Sequence, residues 1–140
     1  MATTVKAIDP WIRVKNVGRS AEWYRRMLGF KVEMALPDAE NPTFVRLTNG
    51  DVALMISDGS DAMSGKSAPK ATVKAIAARK AQRVVSFYFR VDDGVDALYR
   101  SVRRKGAKIV QPPTDQPYGE RDIILKDPDG YEVGVGQPLG

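Results

Sequence analysis

Cysteine and histidine are both absent from the 140 residues. The lack of cysteine excludes disulfides, thiolate metal ligands and cysteine nucleophiles. The lack of histidine excludes Ser-His and Cys-His catalysis and His-ligated zinc or iron, and it removes the side chain that titrates near neutral pH. Composition alone therefore excludes most familiar catalytic machinery.

Long apolar runs are also missing. No stretch approaches the roughly 20 apolar residues of a membrane span, and the opening MATTVKAIDPW holds no apolar core typical of a signal peptide. We therefore expect a cytoplasmic protein that does not bind membranes. With 43% apolar and 28% charged residues, the composition is that of a soluble globular protein, and the length fits one domain over residues 1–140.

The positive charge is confined to one segment. The net charge is +5, and six Lys and Arg residues with no acid lie between Lys66 and Arg83, which leaves 16 basic against 17 acidic residues elsewhere. Residues 58–83 are rich in Ser, Gly, Ala and Lys and contain no aromatic residue, so we interpret them as a basic linker. Without interleaved aromatics or a binding motif, this linker gives no reason to expect nucleic-acid binding.

The rest of the chain contains an internal repeat of strand, helix and three strands. Val14 to Gly29 and Val91 to Gly106 both span a strand end, a helix pattern and a glycine stop, at an offset of 77 residues. Tight hairpins at residues 49–50 and 129–130 match at an offset of 80. The sequence therefore predicts an α+β fold of two βαβββ modules, residues 5–57 and 84–137, whose curved mixed sheet surrounds a concave cleft.

Three stretches resemble one known family. SAEWYRRMLGF after the first strand, PYGERD at 117–122 and DPDGYEVGV at 127–135 resemble the vicinal oxygen chelate superfamily of glyoxalases, bleomycin-resistance proteins and extradiol dioxygenases. The resemblance covers nearly all of the chain outside the linker. In DPDGY, Pro128 presets φ and Gly130 supplies a positive φ, so the element reads physically as a hairpin turn.

The resemblance implies four positions for metal ligands, one on the first and one on the last strand of each module. In this sequence those positions hold Asp9, Leu54, Ser86 and Gly134. A transition-metal site does not form from one carboxylate, one hydroxyl and one aliphatic side chain, with a glycine at the fourth position. We therefore expect no metal and no other cofactor, although Asp9 with Glu132, on the same strand face as Gly134, leaves a weak site open.

The cleft face is expected to carry paired aromatic and cationic side chains. Strand alternation places Asp9, Trp11 and Arg13 on one side, and the 77-residue offset matches them to Ser86, Tyr88 and Arg90. Two aromatic rings and two guanidinium groups suit a flat ligand that is neutral or anionic. The alternative is that Trp11 and Tyr88 fill the cleft as core. The predicted ligand-binding set is Asp9, Trp11, Arg13, Leu54, Ser86, Tyr88, Arg90 and Glu132.

Two groups of acidic residues are interpreted without a functional role. The resemblance places the alternating charges Glu120, Arg121 and Asp122 near the mouth of the cleft, but we expect them to be a solvated strand end. Asp127 and Asp129 are explained by turn chemistry rather than by acid-base catalysis. No catalytic residue is predicted.

Three hypotheses about function follow. The first is a non-metal protein of the glyoxalase and bleomycin-resistance type that sequesters a planar compound, as in antibiotic resistance. The second is a lyase, isomerase or dioxygenase-like enzyme with a degenerate metal site and Asp9 or Glu132 as base. The third is an interaction protein with a filled cleft. In each case we expect a homodimer, as the resemblance implies.

Overall fold

The computed structural model describes residues 3–60 and 85–140, and the chain divides into two compact units, residues 1–77 and 78–140. In the first unit the element order is β1 (Trp11–Arg13), α1 (Val17–Leu28), β2 (Lys31–Leu36), β3 (Phe44–Asn49) and β4 (Val52–Ser57). The four strands form one mixed sheet in the order β1-β4-β3-β2, with β1 parallel to β4 and the other neighbours antiparallel.

The second unit has the same topology. Its elements are β5 (Val85–Arg90), α2 (Val95–Arg104), β6 (Lys108–Asp115), β7 (Glu120–Lys126) and β8 (Glu132–Pro138). The sheet order is β5-β8-β7-β6, again with the first and last strands parallel. The predicted α+β class and the two βαβββ modules are confirmed, and the predicted linker lies mostly outside the described residues.

Helix α1 is defined at both ends by side-chain and backbone chemistry. The Asn16 side chain accepts a hydrogen bond from the Arg19 backbone N–H at 2.9 Å and so caps the helix, which begins at Val17. Gly29 ends it in the left-handed conformation, at φ 75°, and its N–H returns to the Arg25 carbonyl. Buried residues spaced along one side, from Val17 to Met27, pack this helix on its sheet.

Helix α2 lacks a side-chain cap of its own, because Gly94 occupies the N-cap position. The backbone N–H of Val95 instead donates to Oε1 of Gln137 on β8, at 2.8 Å. Val95 and Val102 are the buried positions of the helix. This bond ties the start of the helix to the last strand of its own sheet.

Each sheet buries one face and leaves the other, which we call the open face, without a helix of its unit. On the buried face of the first sheet lie Ile12, Val45, Leu47, Leu54 and Ile56, and on that of the second lie Phe87, Ile123, Leu125, Val133 and Val135. Because side chains alternate along a strand, the residues between these belong to the open faces. Among the described residues, no helix is long and apolar enough to cross a membrane.

Candidate functional site

The open face of the first sheet presents an aromatic ring to solvent. Trp11 on β1 is 63% exposed, although it is one of the largest apolar side chains in the chain. Its indole N–H donates to Oγ of Ser57 at 2.9 Å, and its ring meets Phe44 edge-on, with centroids 5.5 Å apart. Two contacts on different strands therefore hold the ring in one orientation while its surface stays accessible.

Arg46 on β3 lies on the same open face and carries two acidic partners. Its guanidinium reaches Glu33 at 2.7 Å and Asp9 at 3.2 Å. The hydrogen bonds that Arg46 donates to Asp9 and then to Glu33 raise the pKa of Arg46 above its usual value. Asp9, predicted to face a ligand, is therefore engaged by Arg46.

The open face of the second sheet holds a polar cluster around Asp122 of β7. This carboxylate is fully buried and accepts hydrogen bonds from the Tyr88 hydroxyl at 2.9 Å and from the Tyr118 hydroxyl. The Nε2 amides of Gln111 and Gln116 reach its other oxygen at 2.7 and 3.0 Å. Four donors from β5, β6 and the loop before β7 thus converge on one buried acid.

The cluster lowers the pKa of Asp122 and raises the pKa of Tyr88. Burial raises the pKa of Asp122, but the hydrogen bonds from Tyr118, Gln116, Gln111 and Tyr88 outweigh it, so this pKa lies below its usual value. Burial and then the bond to Asp122 raise the pKa of Tyr88 well above that of a free tyrosine. At neutral pH the cluster is therefore an ionised carboxylate held by neutral donors.

A glycine makes room for the Tyr88 ring. A Cβ placed on Gly136 of β8 would lie 2.0 Å from the Tyr88 hydroxyl oxygen and 2.7 Å from the ring carbon that bears it. No other residue type leaves this space, so Gly136 allows Tyr88 to lie across the strand and reach Asp122.

The remaining predicted residues occupy varied environments. Ser86 and Arg90 are exposed, while Arg13 and Glu132 are half-buried. Arg90 Nη2 lies 3.3 Å from Oε1 of Glu120. Arg13 follows Trp11 on the open face, and its guanidinium lies against Gly59.

The predicted place of Leu54 on the open face is wrong. It is fully buried, pairs with Leu47 and lies on the helix side of the first sheet. The strand registers match Met55, not Leu54, to Gly134, because Trp11 pairs with Met55 and Tyr88 pairs with Gly134. The offset of 80 taken from the hairpins was thus one residue too long in β4, and a shift of one residue moves a side chain to the opposite face.

The structure shows what the four metal positions implied by the resemblance can offer a metal ion. Asp9 is paired with Arg46, Leu54 lies on the wrong face, and Gly134 has no side chain. Ser86 alone offers a hydroxyl, so this set does not fit a divalent metal ion. Over residues 3–60 and 85–140, no group of three or more His, Cys, Asp or Glu side chains is arranged to hold one.

The Asp122 cluster is not predicted from the sequence. Residues 120–122 are expected to be a solvated strand end, whereas Glu120 and Asp122 are buried on the open face and Arg121, on the opposite side, pairs with Asp96 and Asp115. The alternation of acid, base and acid on a strand was the available signal, because it places both acids on one face. The turn interpretation holds for Asp127, which accepts from the backbone N–H groups of Asp129 and Tyr131.

Two units of βαβββ topology, each with one helix on a mixed four-stranded sheet, define the glyoxalase-like class of fold. The sequence profile of the Glyoxalase/Bleomycin resistance protein/Dioxygenase superfamily matches residues 4–135. The chain belongs to this superfamily. A search of curated proteins finds no match.

Solved structures of similar fold share little sequence with this chain. TioX from Micromonospora sp. ML1 is 19% identical with a TM-score of 0.71, over 96% of this chain and 100% of that one. UcmS2 is 17% identical with a TM-score of 0.76, over 96% and 98%. TnmS3, described as an antibiotic binding protein from Streptomyces sp. CB03234, is 19% identical with a TM-score of 0.70, over 98% and 99%. At these identities the likeness concerns the fold.

Proposed function

We propose that this protein binds and sequesters a small planar compound, neutral or anionic, without a metal ion. The observation that carries the proposal is Trp11, a large aromatic side chain that is exposed and yet held by Ser57 and Phe44. An exposed apolar ring costs free energy in water, and an immobilised one loses little conformational entropy when a flat ligand stacks on it.

The surroundings of Trp11 fit a flat ligand. Met55 and Met34 lie on the same open face, in the row of residues that pairs β1, β4, β3 and β2. Met34 is exposed, and methionine packs adaptably against aromatic surfaces. Arg13 adds a guanidinium two residues along β1, which suits an anionic substituent.

The relatives support the same proposal. The superfamily is partly named for bleomycin resistance, and TnmS3 is described as an antibiotic binding protein. A protein that sequesters a compound needs only affinity for it. The residues at the four family metal positions do not supply the donors that a metal-dependent enzyme needs.

Fluorescence tests the proposal directly. In a Trp23→Phe background Trp11 is the remaining tryptophan, so its emission reports on the open face of the first sheet. We expect saturable quenching by an anthraquinone sulfonate, which is planar and anionic. Cyclohexane sulfonate, which carries the same charge on a ring that is not flat, should have no such effect. Equal responses to both compounds, or none to either, would contradict the proposal.

The enzyme alternative is tested by metal content. A lyase, isomerase or dioxygenase-like activity with Asp9 or Glu132 as base would use a metal held by a reduced ligand set, or no metal. After incubation with Ni²⁺, Zn²⁺, Mn²⁺ and Fe²⁺ followed by desalting, we expect far less than one ion per chain. Stoichiometric metal that Asp9→Ala removes would favour the enzyme instead.

A further inference from the structure

One carboxylate oxygen on the open face of the second sheet lacks a partner. Glu120 of β7 is 8% exposed, and its Oε1 lies 3.3 Å from Arg90 Nη2. Its Oε2 is buried and accepts no hydrogen bond from any residue in the described ranges. A buried acceptor left in this state costs free energy, so native proteins rarely leave one without a hydrogen-bond partner.

The neighbouring donors cannot serve this oxygen, because Asp122 already uses them. The hydroxyls of Tyr88 and Tyr118 each have one proton, and both are donated to Asp122. Gln111 Nε2 donates to the backbone carbonyl and to the carboxylate of Asp122. Gln116 Nε2 donates to Gln111 and to Asp122. The donors of these four side chains are therefore not available to Glu120.

We infer that Oε2 of Glu120 accepts a hydrogen bond from a compound bound on the open face of the second sheet, so that the ligand preferred on this face is a planar ring bearing an N–H or O–H donor. This inference rests on the proposed function and specifies the ligand class for the same protein. A group that enters here contacts aromatic surface as well, because the rings of Tyr88 and Tyr118 meet edge-on with centroids 6.4 Å apart.

The side chains around Glu120 allow access. The Arg90 side chain is 78% exposed and Tyr118 is 61% exposed. Both side chains lie at the surface, and the buried apolar side chains of β5 and β7 lie on the opposite face. A ligand donor can therefore reach Oε2 while Oε1 stays with Arg90.

The charge of this face favours a neutral donor over an anion. Glu120 and Asp122 are two carboxylates, and Arg90 is already paired with one of them. A ligand anion placed beside Oε2 would meet like charge, whereas an N–H or O–H donor gains a charge-assisted hydrogen bond. A neutral ring with a donor is therefore the ligand expected on the open face of the second sheet.

Indole and N-methylindole are a suitable pair of probes. They share a flat, neutral ring system, and only indole has an N–H donor. Calorimetric titration of the wild-type protein should show indole binding at least about tenfold more tightly, the gain expected for a hydrogen bond to a charged group. In Glu120→Gln the amide oxygen faces Arg90 and the amide N–H group faces the ligand, so the preference for indole should disappear.

The matched control is Asp93→Asn, which removes the same charge from an exposed position of the same unit. It should keep the preference for indole, and thermal unfolding of both variants checks that they fold. Equal affinity for the two probes in wild type, or a preference that survives in Glu120→Gln, would overturn this inference. It would leave the proposed function standing if anthraquinone sulfonate still quenches Trp11. Failure of all three compounds to bind would overturn both.

Discussion

Asp122 shows how one buried acid can organise a sheet face. Its carboxylate is fully buried, which alone would favour the neutral form, yet four hydrogen-bond donors favour the ionised one. The donors come from residues 88, 111, 116 and 118, which are brought together only by the fold. The cluster consequently holds β5, β6 and β7 in register on the open face.

This cluster makes stability depend on pH. Because folding lowers the pKa of Asp122, its contribution is fully present above the unfolded value near 4 and is lost as the pH falls through the folded value. Asp122→Asn should lower the free energy of unfolding by about 2 kcal/mol or more at pH 7. The difference from wild type should shrink below about pH 4, as denaturant titrations at several pH values would show.

Asp51→Asn is the control for that experiment, because Asp51 is exposed in the β3–β4 turn. It should change stability by about 0.5 kcal/mol or less at every pH. If Asp122→Asn has an effect that does not vary between pH 3 and pH 7, the ionised cluster described here is wrong.

At the scale of elements, the two sheets share one strand topology and differ in the side chains on their open faces. The row Met34, Arg46, Met55 and Trp11 in the first sheet corresponds to Gln111, Ile124, Gly134 and Tyr88 in the second. The same positions therefore give an exposed aromatic ring in one unit and a polar cluster in the other. Duplicated topology does not imply duplicated chemistry.

Strand patterns were well predicted, and side-chain partnerships were not. The predicted order of strand, helix and three strands is found in both units, because alternation and turn residues act locally. The register between neighbouring strands depends on bulges, such as the one between Val85 and Phe87. No local sequence pattern reveals such a bulge. Burial of Asp122 was equally beyond local reasoning, because its donors lie on three separate segments.

The register of β4 can be tested with neighbouring substitutions. Leu54→Ala should lower the free energy of unfolding by about 2–5 kcal/mol, because Leu54 is fully buried beneath the helix. Met55→Ala, one residue along on the open face, should cost about 1 kcal/mol. Urea titrations of both variants provide the measurement. A reversed order of the two effects would contradict the placement of Leu54.

At the scale of the whole molecule, the edge strands of the two sheets are relevant to whether copies of the chain associate. Within the parts of the chain that the structure describes, β1, β2, β5 and β6 each have a strand neighbour on one side only. Exposed edges and open faces of this kind are commonly covered by another copy of the chain. We therefore keep the prediction of a homodimer.

Sedimentation equilibrium at micromolar concentration tests that prediction. The expected mass is twice the 15.4 kDa of the chain. The mass should stay the same on moderate dilution, because an obligate interface is large and apolar. A mass of one chain across the concentration range would refute it.

The central claim is that the exposed ring of Trp11 binds a planar compound instead of filling a core, and Trp11→Ala tests it most directly. One sample of this variant should be measured for both urea unfolding and calorimetric titration with anthraquinone sulfonate. We expect the free energy of unfolding to fall by only about 1 kcal/mol, because the side chain is 63% exposed. Affinity should fall about tenfold to a hundredfold, the cost of losing one stacking surface. A loss of about 3–5 kcal/mol in stability, with unchanged affinity for the sulfonate, would contradict the account.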